Sequence, residues 1–148
     1  MSNYNKDMKQ GNMIALINSI AKKAHNLIVR ELEEQGIEGI VPSHGDIMVH
    51  LFTGREYTMQ ELSQKIERTK PTVTVLIDKL VARGYVTKEK SCEDNRITFI
   101  RLTEKGWSLK PRFDTISERL NAVVYQGLGE QDAEYMEAAL SNLNQRLK

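Results

Sequence analysis

The residues of this chain that could do chemistry do not add up to a bond-making site. Its single cysteine, Cys92, precedes Glu93 and Asp94, and acidic neighbours raise a thiol's pKa rather than activate it. His25, His44 and His50 are the only histidines. Asp46 and His50 stand one helical turn apart with His44 nearby, but no thiol joins them, so no metal site is expected. There is no Gly-rich phosphate loop, nucleophile elbow or paired-carboxylate motif, which argues against an enzyme and against a cofactor. What remains is a set of hydrogen-bond donors and cations suited to an anionic surface. Lys70, Thr72, Thr74 and Val75 share the start of one amphipathic stretch, and Lys88, Lys90 and Arg96 follow closely. Small hydroxyls beside a lysine let a helix approach a groove without obstruction.

The elements that must position these residues lie between Thr69 and Thr103. Val73, Ile77, Leu80 and Val81 recur at helical spacing with Leu76 alongside, which predicts a helix with those residues inward. Thr69 is its expected N-cap, Pro71 fits its first turn, and Gly84 is the expected stop. Strands at Tyr85–Lys90 and Ile97–Leu102 then form a hairpin with a polar tip from Ser91 to Arg96. Upstream, Thr58 and Glu61 form a capping box that opens a short helix ending near Ile66. Two helices this close must cross steeply, with Leu62, Ile66, Val73 and Ile77 between them. Helix-turn-helix plus basic hairpin is a winged helix-turn-helix.

The flanking stretches are helical too. A wide apolar stripe runs over Asn12–Gln35, after a start to Lys9 that reads as frayed. Ser43 is expected to cap a second helix that runs to Phe52 with Asp46 in its first turn. Thr103-Glu104-Lys105-Gly106 opens a fifth helix to about Gln126, with a kink or late start at Pro111, and a last helix follows from Glu130. These outer helices carry more apolar surface than the central unit can cover, so an isologous dimer is expected. The fold class is therefore mainly α with a small β-hairpin wing. A single domain over 1–148 would hold a DNA-binding lobe at 43–103 and dimerisation helices at 9–36 and 104–148.

Composition sets the bounds. The chain has 148 residues, 40% apolar and 28% charged, with a net charge of +1. The span Arg55–Lys105 carries +3 and the remainder −2, a mild asymmetry that makes the placement of cations matter more than their number. No run approaches the roughly 18 apolar residues of a membrane span, and no signal peptide is expected. A lone cysteine excludes an internal disulfide and fits a reducing, cytoplasmic setting.

At this point the sequence resembles the MarR (multiple antibiotic resistance regulator) family of bacterial transcription regulators. Asp94-x-Arg96 followed by Leu102-Thr103-Glu104-Lys105-Gly106 carries the resemblance, with Pro71-Thr72-Val73-Thr74, Asp78-Lys79-Leu80 and Gly84-Tyr85-Val86 upstream. It implies a homodimer on pseudo-palindromic double-stranded operator DNA, usually a repressor. The helix Lys70–Arg83 would enter the major groove, and Arg96, braced by Asp94, the minor groove. Arg68, Lys88, Lys90 and Arg101 would meet phosphates. It also implies a small aromatic or lipophilic effector between the lobes, in a cleft lined from His25, Leu51, Phe52 and residues near the start of the fifth helix. The family often has a basic residue where Val75 stands, which favours a thymine-methyl contact there. The family's peroxide sensors carry a cysteine near the N-terminus, and its zinc sensors place histidines on the fifth helix; this chain has neither. The alternative is a winged dimer acting as a protein-interaction scaffold, which has no need for Arg96 and Lys70 together with basic strand edges.

Overall fold

The computed structural model describes residues 11–37 and 39–147, so the expected frayed start to Lys9 lies outside it. The chain divides into two units, one reaching Ile116 and one from Ser117 onward.

The first unit opens with α1, Asn12–Glu34, and turns through Gly36 into buried Ile37. The second helix, α2, spans Pro42–Leu51. Ser43 does not cap it. Val41 is the N-cap, Pro42 takes the first helical position, and His44 Nδ1 accepts the Val41 amide at 3.0 Å. Proline's fixed φ starts the helix one residue earlier than the hydroxyl suggests, and Asp46 falls beyond the first turn.

A two-residue strand, β1 (Tyr57–Thr58), precedes α3 (Met59–Lys65) and α4 (Lys70–Ala82). The Glu61 amide donates to Thr58 Oγ1 at 3.1 Å, whereas the Glu61 carboxylate lies 3.4 Å from Arg55 rather than completing a reciprocal box. Glu67 takes φ 55° in the tight turn between α3 and α4. Leu62, Val73, Ile77 and Leu80 are fully buried at that crossing and Ile66 is half-buried, but Val81 is 36% exposed. The packing stripe follows Val73, Ile77 and Leu80, and Val81 sits at its edge.

The wing is β2 (Val86–Lys90) and β3 (Thr98–Leu102), antiparallel, with Val86 opposite Leu102 and Lys90 opposite Thr98. β1 joins the outer edge of β3, giving the order β1-β3-β2. The expected fifth helix is interrupted: α5 covers only Glu104–Trp107, and α6 starts at Lys110 with Pro111 in its first turn. The core gathers Leu32, Ile47, Met48, Leu51, Tyr57, Ile100 and Phe113 around the α3–α4 crossing.

The second unit holds the end of α6, which runs to Val124, and α7, Glu130–Arg146. Tyr125 donates to the Glu137 carboxylate across the turn. None of its described residues is buried, and Tyr135 is 76% exposed. Among the described residues no helix is long and apolar enough to cross a membrane.

Candidate nucleic-acid interface

The face of interest begins with the cap of α4. Thr69 Oγ1 accepts the Thr72 amide at 3.4 Å and donates to Thr72 Oγ1 at 3.0 Å. Thr74 Oγ1 donates back to Lys70 O at 2.9 Å, the usual local bond of a threonine inside a helix. Thr72 thus keeps its own proton for an outside acceptor, and Thr74 keeps only acceptor capacity. Val75 stands beyond them, 69% exposed, an uncovered pair of methyls on a helix whose other side is fully packed.

The wing turn is built from its own side chains. Ser91 Oγ accepts the amides of Glu93 and Asp94, and the Ile97 amide bonds Asp94 O. Arg96 then closes a fork on Asp94, with its amide and Nε on Oδ1 at 3.0 and 3.1 Å and a terminal nitrogen on Oδ2 at 3.1 Å. These bonds hold the Asp94 carboxyl below its ordinary range. The Arg96 side chain remains 91% exposed, oriented by the carboxylate yet open to solvent. Lys70, Thr74, Arg96, Ile97 and Thr98 line one depression of about 400 Å3 together with Thr58, Gln60 and Gln64. The start of α4 and the tip end of the wing therefore line a shared concavity.

The remaining cations divide. Lys90 and Arg68 are exposed, the latter in the turn before α4. Lys88, expected to be a phosphate contact, is ion-paired with Asp78 of α4. Arg101 pairs with Glu56 and, at 3.0 Å, with Glu89, so it ties the three strands' surroundings together.

The MarR family profile matches residues 41–98, which span α2, the crossing helices and most of the wing. Through this lobe the chain is similar to the MarR family. Among its relatives is YdgJ of Bacillus subtilis, named as an uncharacterized HTH-type transcriptional regulator. The two are 32% identical over 68 residues, which cover 46% of this chain and 42% of that relative, so this chain spans well under half its length. The fold matches the Staphylococcus aureus MepR–DNA complex with a TM-score of 0.84 at 22% identity, covering 93% of this chain and all of that one. It also matches a MarR variant from Escherichia coli complexed with operator DNA, at a TM-score of 0.78 and 19% identity, over 89% and 96% of the two chains. These likenesses show the fold: mainly helical, with a winged helix-turn-helix. The YdgJ relative is named as a regulator and not as an enzyme.

Of the residues expected around an effector, Leu51 and Trp107, the latter near the start of the expected fifth helix, line one cavity. Leu51 lines a cavity of about 270 Å3 with Gly54, Arg55, Glu56, Ile100, Arg101, Leu102 and Trp107, and neither His25 nor Phe52 is on that lining. Leu51 lies on the buried face of α2, His25 is exposed on α1, and the Phe52 ring packs 5.3 Å from Phe113 and 6.1 Å from Trp107. The histidines also separate. His50 Nδ1 lies 2.8 Å from Asp46 O, whereas His44 is buried with its Nε2 unpartnered. Burial, then Lys79 and Arg83, lower the His44 pKa. Burial raises the Asp46 carboxyl, partly offset by His25, Arg68 and His50. No group of three or more His, Cys, Asp or Glu among the described residues could hold a metal ion.

Sequence reasoning missed Gln60, Gln64 and Thr98 on the shared concavity. The Thr58 cap placed α3 correctly, but only the pairing of β1 with β3 shows that the start of α3 lies beside the wing.

Proposed function

We propose that this chain is a sequence-specific DNA-binding regulator of transcription that acts as a homodimer on a pseudo-palindromic operator. The observation that carries the reading is the shared concavity, where Lys70 and Thr74 of α4 meet Arg96 of the wing. In that arrangement α4 addresses base edges in the major groove while Arg96 reaches the adjacent minor groove. Thr72 donates to base acceptors, Thr74 accepts from adenine or cytosine amino groups, and Val75 meets a thymine methyl. Arg68 and Lys90 take phosphates. Lys88 serves there only if it leaves Asp78. The alternative of a scaffold that never meets DNA has no use for an Arg held open to solvent at the wing tip.

Dimerisation is supported by uncovered apolar side chains on α1 (Met13, Ile14, Leu16 and Ile20) and on the terminal helices (Val123, Met136 and Leu140). At about 25 cal/mol per Å2 such surface favours burial against a second copy. The segments 9–36 and 104–148 are the dimerisation elements of the proposal, and its setting is the cytoplasm. The repressor is responsive to a small aromatic or lipophilic effector, supported by the cavity between Leu51 and Trp107.

Titration of labelled duplexes from upstream of the protein's own reading frame, at fixed salt, tests the reading. Saturable binding is expected, competed by the same sequence far better than by unrelated duplex. Equal competition by both would contradict it.

A further inference from the structure

Where α4 runs out, three successive backbone carbonyls are each taken by the junction that follows β3. Lys105 Nζ donates to Arg83 O at 2.8 Å, the Thr103 hydroxyl donates to Gly84 O, and the Thr103 amide donates to Tyr85 O at 3.0 Å. The same Thr103 oxygen accepts the Gly106 amide at 3.1 Å and so caps α5. The Lys105 ammonium also sits 5.0 Å from the centre of the Tyr85 ring. Gly106 is packed so closely that a Cβ there would stand 2.2 Å from Tyr85 O.

These contacts bracket Gly84, the residue that joins the end of α4 to the wing. Gly84 has φ 79° and ends the helix with a paired motif, its amide on Val81 O and the Tyr85 amide on Leu80 O. A glycine in that conformation is a hinge unless its neighbours are held.

We propose that Thr103, Lys105 and Gly106 are positioning residues for DNA recognition. They clamp both sides of Gly84 and fix the angle at which α4 and Arg96 address one duplex. The proposal rests on the DNA-binding reading above. Lys105 is a poor phosphate contact by comparison. It binds the carbonyl end of a 13-residue helix, about 20 Å from the Lys70 end, and its ammonium is committed to Arg83 O and the Tyr85 ring.

The test is a double-mutant cycle on an operator duplex, crossing Arg96→Ala with Thr103→Val, Thr103→Ser and Lys105→Met. Thr103→Val is expected to weaken operator binding about tenfold and to shrink the Arg96→Ala penalty, because a loosened wing no longer delivers the arginine. Thr103→Ser, which keeps the hydroxyl, should restore both. Lys105→Met should weaken binding without changing the slope of log affinity against log salt, whereas loss of a phosphate contact lowers that slope by about one per site. An unchanged Arg96→Ala penalty in both Thr103→Val and Lys105→Met, or a flattened slope in Lys105→Met, overturns the proposal. Lys105→Met and Thr103→Ser carry the test if Thr103→Val does not fold. A second arm uses protein alone, with spin labels on Cys92 and on Val75→Cys. The distance distribution between wing and α4 should broaden in Lys105→Met; an unchanged distribution overturns the clamp. If the wild-type protein binds no DNA and the distribution still broadens, the clamp stands and only the DNA reading falls.

Discussion

The winged unit and the terminal helices look alike as sequence and behave differently as structure. Both carry apolar residues at helical spacing, yet every buried apolar residue among those described lies at or before Ile116. In the winged unit, α2, α3, α4 and the sheet meet from several directions, so Leu62, Val73 and Ile77 are sealed. In the terminal unit, Met136 and Leu140 of α7 remain about half exposed. Periodicity shows that a face is apolar, not whether its cover comes from the same chain. The difference separates a lobe sealed by its own contacts from helices whose apolar faces the proposed dimer would cover.

Ile77→Ala empties a fully buried site at the α3–α4 crossing and should cost about 2–5 kcal/mol, measured by denaturant unfolding. The cost should persist in a monomerised background, and a loss below about 1 kcal/mol would show that the crossing is not the lobe's core. The complementary change, Leu140→Asp, places a charge on the uncovered face of α7. It should weaken self-association at least tenfold, about 1.4 kcal/mol, by sedimentation while the winged unit keeps its core. An unaltered dimer would place the interface elsewhere.

A smaller effect comes from pH and should be confined to the winged unit. His44 is buried with Nδ1 accepting the Val41 amide, and its pKa lies below the ordinary 6.5. As pH falls through that value the unfolded chain takes up a proton that the folded protein refuses, so stability drops, levelling off once the folded pKa is passed. His44→Gln should flatten this part of a stability–pH profile recorded from pH 8 to 5, a window around the ordinary histidine value. An equal slope in both proteins would mean that His44 is not responsible. The smallest effect is expected of Lys88→Met. Its pair with Asp78 is solvent-exposed, so stability should change by less than about 1 kcal/mol. The salt slope of DNA binding should also hold, since a paired lysine releases few counterions. A slope lowered by about one per site would return Lys88 to the phosphate contacts.

What the sequence revealed was local. Thr69, Pro71 and Gly84 bound α4, and Ser91 to Arg96 form the wing tip, because caps, stops and turns are written in neighbouring residues. The Asp94–Arg96 fork spans two positions and was expected from the family resemblance. Features that depend on distant residues were not. A two-residue strand such as β1 exists only because β3 lies beside it. Lys88 meets Asp78 and Arg101 meets Glu56 only in the folded chain, so both look like free cations in the sequence. Ser43 misled because it is a good cap one place late, after a proline that had already started the helix. His25, Leu51 and Phe52 were grouped by family likeness; of the three, Leu51 lines the cavity beside Trp107.

The division of labour between α4 and the wing is tested most directly by Arg96→Ala, titrated at one salt concentration against operators whose flanks differ. An A/T-rich flank narrows the minor groove and deepens its negative potential, so removal of an exposed, Asp94-oriented arginine should cost most there. A clearly larger loss of affinity is expected on A/T-rich than on G/C-rich flanks, with Asp94→Ala reproducing only part of it. An equal loss on both flanks would mean that Arg96 does not sense groove width and is one more phosphate contact.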